Sequence, residues 1–425
     1  MTLPSNETLQ LMNYKDREDL FYPDLQRNIA QIAPTALTLL EKKFPPKRTL
    51  LPHLVEKSGW QLLSSQKISK VIFIILDAVG SEQFYDHTNI FKKRFSTNGL
   101  VVSSVYPTIT STCIPSLQLG QMPVRHGILG HKIYFKEINN IVNTLNLYAY
   151  GNRGCNLTKA GVDVRPWQWS EELINPKDDI IDVRLIENEI ANKGLSLFLT
   201  NEEPYIGYSS HVDCFACAER IIKKNRNNKL FLNIYIGSTD SIAHRFTPSS
   251  DILSEEIQNI ESLLLRLFQR LDPEIAKETA FIITSDHGQE TIKEERKIIV
   301  SEEEREELER YIRFYGRSGR IIHFYTKKGK QEDFIQWLED KIDGKGVIAT
   351  PKDYPLLLGP GSHQKEVLAR LGEVQLILGA ESAIYFGHSG NFDLTYDLDL
   401  NATHGSLTKS ELLVPFFFDR VSNYR

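Results

Sequence analysis

Three stretches of the chain run almost unbroken in apolar residues and then stop on an acid. Val71-Ile-Phe-Ile-Ile-Leu76 ends at Asp77, and Leu230-Phe-Leu-Asn-Ile-Tyr-Ile236 ends at Gly237-Ser-Thr-Asp240. Ala280-Phe-Ile-Ile-Thr284 ends at Ser285-Asp286-His287-Gly288. Runs without alternation predict strands buried on both faces, as in a parallel sheet covered by helices. Ligands of such sheets gather outside the carboxyl ends of the strands, where these acids stand. A fourth strand is predicted from Gly99 to Val105, followed by the polar loop Tyr106–Cys113, and Ile114–Gly120 reads as the start of a helix. Helical spacing predicts a helix over 182–192, stopped by Gly194, with Leu195–Thr200 as the next strand. Asp251–Arg270 has the pattern of a long amphipathic helix. This alternation predicts an α/β fold, a doubly wound, mostly parallel sheet with helices on both faces.

The pattern changes twice. Residues 1–65, broken by Pro23, Pro34 and Pro45-Pro46, read as a helical, irregular arm packed on the core. Residues 290–384 open with a charged helix (Glu302–Arg310), then a strand at 320–325, a helix at Gln331–Ile342 and a strand at 346–349. A loop rich in Gly and Pro follows at 357–362. This unit reads as a small α/β cap inserted into a core made of 66–289 plus 385–425. The charge run at 302–309 is a solvated helix face.

Charge and composition narrow the function. A net charge of −5 with no basic block gives no grip on a nucleic-acid polymer. The first 20 residues lack an apolar signal core, and no apolar stretch reaches the length of a membrane span. Four cysteines do not make a secreted disulfide framework, so a cytoplasmic protein is expected. Cys214-Phe-Ala-Cys217 opens a helix-like run and reads as a structural pair.

The candidate chemistry collects at the strand ends. Asp240 and His244, four apart, share one face of a helical turn. Asp286 and His287 could join Asp77 on one ion, and Asp240, His244 and His404 could serve a second. Carboxylate and imidazole donors without thiolates suit Zn²⁺, with Mn²⁺ or Fe as competitors. Two such ions stabilise both the attacking and the leaving oxygen of phosphoryl transfer. Thr108, Thr110, Ser111 and Thr112 are candidate nucleophiles, and spacing alone does not choose among them.

Taken together, Leu76-Asp77-Ala-Val-Gly80, Tyr106-Pro-Thr-Ile-Thr110, Asp240-Ser-Ile-Ala-His244, Ser285-Asp286-His287-Gly288 and Thr403-His404-Gly405 resemble the type I phosphodiesterase/nucleotide pyrophosphatase branch of the alkaline phosphatase superfamily. The resemblance runs over about 68–420, and Leu358–His363 also resembles the inserted cap of prokaryotic members. It implies an alkaline-phosphatase-like fold and two zinc ions, one on Asp240, His244 and His404, the other on Asp77, Asp286, His287 and the nucleophile oxygen. The family's nucleophile lies ten residues before a Gly; here that Gly is Gly120, which selects Thr110. It implies hydrolysis of a small phosphodiester or phosphoanhydride, such as a nucleotide, through a phospho-threonine. A phosphomonoesterase or phosphomutase is the alternative, and a non-catalytic zinc-stabilised binding protein a more distant one. Cys113-Ile-Pro-Ser116 imitates a sulfatase motif but sits three positions late, with Leu117 in place of its Arg. Cys113 also occupies the position of a family Asn that binds phosphate oxygen, and His126 reads as structural.

Overall fold

The computed structural model describes residues 9–150, 156–170, 172–175, 177–199, 205–359, 364–386 and 400–425. A seven-stranded sheet forms its centre, in the spatial order Gly99–Ser103, Leu413–Arg420, Thr279–Thr284, Lys70–Leu76, Leu230–Ile236, Ile181–Glu187, Ile206–Tyr208. Leu413–Arg420 is antiparallel to both neighbours, and the remaining pairs are parallel. The unbroken apolar runs have a simple cause. Along Lys70–Leu76, Val71, Phe73 and Ile75 enter one core cluster while Ile72, Ile74 and Leu76 enter the other. Helix Asp251–Arg270 covers the second face with Leu253, Ile257, Ile260, Leu264 and Leu267. The first face is covered by helices Ile32–Thr38 and Thr110–Leu119. Because Lys70–Leu76 is parallel to both neighbours, with Leu76 opposite Ile236 and Ile75 opposite Thr284, all three acid-bearing ends emerge at one edge.

Two expectations are corrected. Residues 182–192 begin as a strand, Ile181–Glu187, because this segment pairs in parallel with Leu230–Ile236 and sends Leu185 to one core and Ile186 to the other. Val183, Ile186 and Ile190 have helical spacing, yet sheet pairing outweighs that weak local signal. The expected strand at 195–200 is instead a short helix, Ser196–Leu199, with Thr200 outside the described residues. Gly194 turns the chain with φ +53°; a Cβ there would lie 1.8 Å from the Leu145 carbonyl oxygen.

A second sheet of seven antiparallel strands runs Gly346–Ala349, Val374–Leu378, Ile321–Thr326, Ile312–Ser318, Lys132–Phe135, Asn140–Asn143, Tyr148–Ala149. It therefore does not coincide with 290–384. The hairpins at 132–149 join the edge at Ile312–Ser318, since an exposed apolar edge is covered best by another strand. Helix Gln331–Ile342 packs Phe334, Leu338 and Ile342 on this sheet. The Gly- and Pro-rich loop is described only outside 360–363. Of the N-terminal arm, residues 9–65 are described; Ile29, Ile32 and Leu37 share the core cluster of Phe73, and the Phe21 N–H donates to the Leu407 carbonyl at 2.9 Å. No described helix is long and apolar enough to cross a membrane.

Candidate metal centre and substrate cleft

The loops at the carboxyl edge bring the sequence-predicted residues together. Asp240, His244 and His404 form one group and Asp77, Asp286 and His287 another, with the donor atoms of each group within 4.8 Å of one another. Helix Ser238–Phe246 puts Asp240 Oδ1 3.3 Å from His244 Nε2, as a four-residue spacing requires. Asp240 Oδ1 is also 3.5 Å from His404 Nε2. His287 Nε2 stands 3.2 Å from Asp286 Oδ2 and 3.6 Å from Asp77 Oδ1. The rings of His287 and His404 stack at 3.9 Å, so the two groups adjoin.

The protein fixes which atoms these side chains present. His244 Nδ1 is 2.7 Å from the Ala402 carbonyl, His404 Nδ1 3.0 Å from that of Thr108, and His287 Nδ1 3.0 Å from that of Gly288. A carbonyl only accepts, so each Nδ1 carries the proton and each Nε2 presents a lone pair. Asp286 Oδ1 accepts the N–H groups of Ala78 (3.1 Å) and His287 (2.9 Å), while the Tyr235 hydroxyl donates to Asp77 Oδ2. The other oxygens, Asp77 Oδ1 and Asp286 Oδ2, are buried without a hydrogen-bond partner. Burial and the neighbouring Asp286 and Asp240 charges push the Asp77 carboxyl well above its usual range, and burial raises Asp286 to about 6. Burial lowers His287 to about 4 and His404 to about 3. Lone pairs thus face one another across a buried space, an arrangement that is costly unless cations occupy it. The donor set fits divalent metal ions.

Thr110 is the first residue of helix Thr110–Leu119, and its hydroxyl lies 3.1 Å from His287 Nε2. Its rivals are engaged elsewhere or turned away. The Thr108 hydroxyl donates to the Ser406 carbonyl at 2.7 Å, and the Ser111 and Thr112 hydroxyls are buried without a partner and do not line the cleft beside Thr110. Cys113 is fully buried, its sulfur 3.3 Å from Ser104 Oγ and 3.5 Å from the Pro107 carbonyl, so it does not reach the cleft. His126 is buried with Nε2 on Ser116 Oγ at 2.9 Å and Nδ1 accepting the Ile128 N–H, a structural role. Cys214 and Cys217 lie on helix His211–Lys224 as free thiols.

A cleft of about 600 Å³ opens beside Thr110, Asp77 and Asp240. Its wall includes Ile114, Leu145, Ile186, Ile190, Leu195 and Leu199, with Tyr205, Tyr208 and Tyr235 and a polar set of Ser209, His211 and Ser238. Sequence reading missed two residues that orient the candidate donors. Tyr235 interrupts an otherwise aliphatic strand end, and Gln289 directly follows Asp286-His287-Gly288, its amide donating to Asp240 Oδ1 at 2.5 Å. Both positions carried a readable signal: a polar group within five residues of a strand-end acid.

The model of the family described as "Type I phosphodiesterase / nucleotide pyrophosphatase" matches residues 71–406. Among solved structures, murine ectonucleotide pyrophosphatase/phosphodiesterase 5 superposes with a TM-score of 0.59 at 15% identity, over 83% of this chain and 88% of that one. Its human counterpart gives 0.58 at 16% identity, with the same shares of 83% and 88%. Phosphonoacetate hydrolase from Sinorhizobium meliloti 1021, in complex with phosphonoformate, gives 0.56 at 15% identity, over 84% of this chain and 90% of that one. These likenesses show an alkaline-phosphatase-like α/β fold. A comparison with curated protein sequences found no match.

Proposed function

The chain belongs to the type I phosphodiesterase/nucleotide pyrophosphatase family, and from that premise we propose that it hydrolyses small phosphodiesters or phosphoanhydrides through a phospho-threonine on Thr110. The observation that carries this reading is the Thr110 hydroxyl, 3.1 Å from His287 Nε2 at the mouth of a largely apolar cleft. Asp77, Asp286 and His287 would hold one divalent ion, and Asp240, His244 and His404 the other, zinc being the metal that this oxygen and nitrogen set suits first. When bound, such ions neutralise phosphoryl oxygens and make a nearby hydroxyl easier to deprotonate.

The chain's own groups do the rest. The cleft takes the organic substituent of the ester, which sets phosphorus against Thr110 Oγ1. The Thr110 oxygen forms its bond to phosphorus as the opposite P–O bond breaks, and the departing oxygen takes up a proton. The N-terminal end of helix Thr110–Leu119, the positive end of its dipole, would face the transferred phosphoryl group. Water then attacks phosphorus from the vacated side, the P–Oγ1 bond breaks, and Thr110 regains its proton. Tyr235 and Gln289 keep Asp77 and Asp240 oriented throughout.

Two structural neighbours support the reading. Murine ectonucleotide pyrophosphatase/phosphodiesterase 5 was solved as an inactive threonine-to-alanine variant in complex with AMP, and phosphonoacetate hydrolase in complex with phosphonoformate. A nucleotide is accordingly one candidate substrate. A cytoplasmic setting belongs to the same proposal, supported by the free thiols of Cys113, Cys214 and Cys217. The test compares kcat/KM on bis-p-nitrophenyl phosphate and on p-nitrophenyl phosphate after zinc reconstitution. The proposal expects the diester to be preferred; a monoester preference would overturn it.

A further inference from the structure

Behind the metal centre lies an ion pair that the proposed chemistry does not use. Arg320 and Glu411 are both fully buried, with Arg320 Nη1 donating to Glu411 Oε2 at 2.7 Å. Arg320 lies in the turn that joins Ile312–Ser318 to Ile321–Thr326 of the second sheet, and Glu411 belongs to the turn of helix Lys409–Leu412 beside the central sheet. The guanidinium also donates from Nε to the Ser382 carbonyl at 3.0 Å and from Nη2 to that of Gly379. A buried pair of this kind is weak evidence for stability as such, so its placement needs another reason.

Both partners hold the segment that carries His404. The Arg320 N–H donates to the His404 carbonyl at 2.9 Å. A Cβ on Gly319 would stand 1.9 Å from that same oxygen, and one on Gly405 2.2 Å from the Ser318 carbonyl oxygen, so the two backbones are in direct contact. Glu411 Oε1 accepts the Ser406 N–H at 2.9 Å, and its Oε2 accepts the Thr408 N–H at 3.2 Å and the Thr408 hydroxyl at 2.7 Å. The Glu411 carbonyl accepts the Gly288 N–H at 2.9 Å, next to His287.

We infer that Arg320 and Glu411 are positioning residues that clamp the 404–408 segment between the two sheets and so set the aim of His404 Nε2 at its ion. This rests on the two-metal reading above. The second sheet is then part of the metal centre's scaffold as well as a cover over it. His404 is reached by the chain last, after the long excursion through that sheet, and its own short strand Ala402–Thr403 pairs with Glu290–Thr291 over two residues alone.

Zinc titration of the apo-protein against a chromophoric chelator tests this without any assay of turnover. The variants are Arg320→Lys, Glu411→Gln and the double Arg320→Met/Glu411→Met, which removes both charges together. The unmodified protein is expected to bind two equivalents tightly. In Glu411→Gln and the double variant one equivalent weakens by about 10–100-fold while the other keeps its affinity. Arg320→Lys, which retains the charge, recovers part of the loss. Added to His404→Ala, the double variant produces no further weakening, because the two changes act on one ligand. Unchanged affinity of both equivalents in a folded double variant overturns the inference. So does a failure of all three variants to fold, which would make the pair an element of the fold alone. Fewer than two equivalents in the unmodified protein would overturn the metal reading itself.

Discussion

The two walls of the site were built by opposite means. One wall, the candidate ligand cluster, hangs from the ends of three buried parallel strands and is fixed by hydrogen bonds between its side chains and the backbone of neighbouring strand-end loops. The other, the cleft formed largely by residues within 186–199 and 205–211, hangs from the outer strands Ile181–Glu187 and Ile206–Tyr208 and from loops that carry no repeated chemical pattern. Central strands have neighbours on both sides and cores on both faces, so their ends are held to a narrow set of positions. Outer strands and loops tolerate change, which suits a surface that selects substrates.

The comparison predicts that damage to the first wall stops the chemistry, whereas damage to the second redirects it. The largest effect is expected from Thr110→Ala: kcat on a phosphodiester falls by at least about 10³-fold with zinc content unchanged by atomic absorption. Retained turnover would remove Thr110 from the reaction. Tyr235→Phe deletes only the hydroxyl that orients Asp77, so zinc affinity falls by about 10–100-fold in a chelator titration while the circular dichroism spectrum persists. Gly194→Ala forces a strained φ and a clash with Leu145 in the cleft wall. Its KM should rise about tenfold, equal to 1.4 kcal/mol of binding, with kcat on a small ester little changed. The smallest effect belongs to Ile190→Trp, which narrows the cleft at its half-exposed lip. Bulky diesters should lose about threefold in KM, roughly 0.7 kcal/mol, and p-nitrophenyl phosphate nothing. If Ile190→Trp instead abolished turnover of every ester, the separation between the two walls would not hold.

The same division explains what could be read from the residues. Asp77, Asp240 and Asp286 were legible because a strand buried on both faces has no reason to end repeatedly on an acid unless the edge is used. His244 was legible from helical spacing, and Thr110 from its register with Gly120 together with the family resemblance. The cleft was not. Residues 182–192 offered a helical period, and the competing strand is favoured only by pairing with Leu230–Ile236, a partner more than forty residues away. Likewise the hairpins at 132–149 gave no sign that they would extend a sheet made mostly of residues after 310.

By itself, then, the order of residues determined the central strands, the edge at which they end, and the identity of the oxygen, nitrogen and hydroxyl donors delivered there. These follow from hydrophobic burial and local geometry, which act over a few residues. Only the tertiary structure decided which imidazole nitrogen each histidine presents, that Cys113 points into the core, and that Arg320 of one sheet meets Glu411 beside the other. Those outcomes depend on contacts between segments tens to hundreds of positions apart, where the free energy of a site is set by what packs against it.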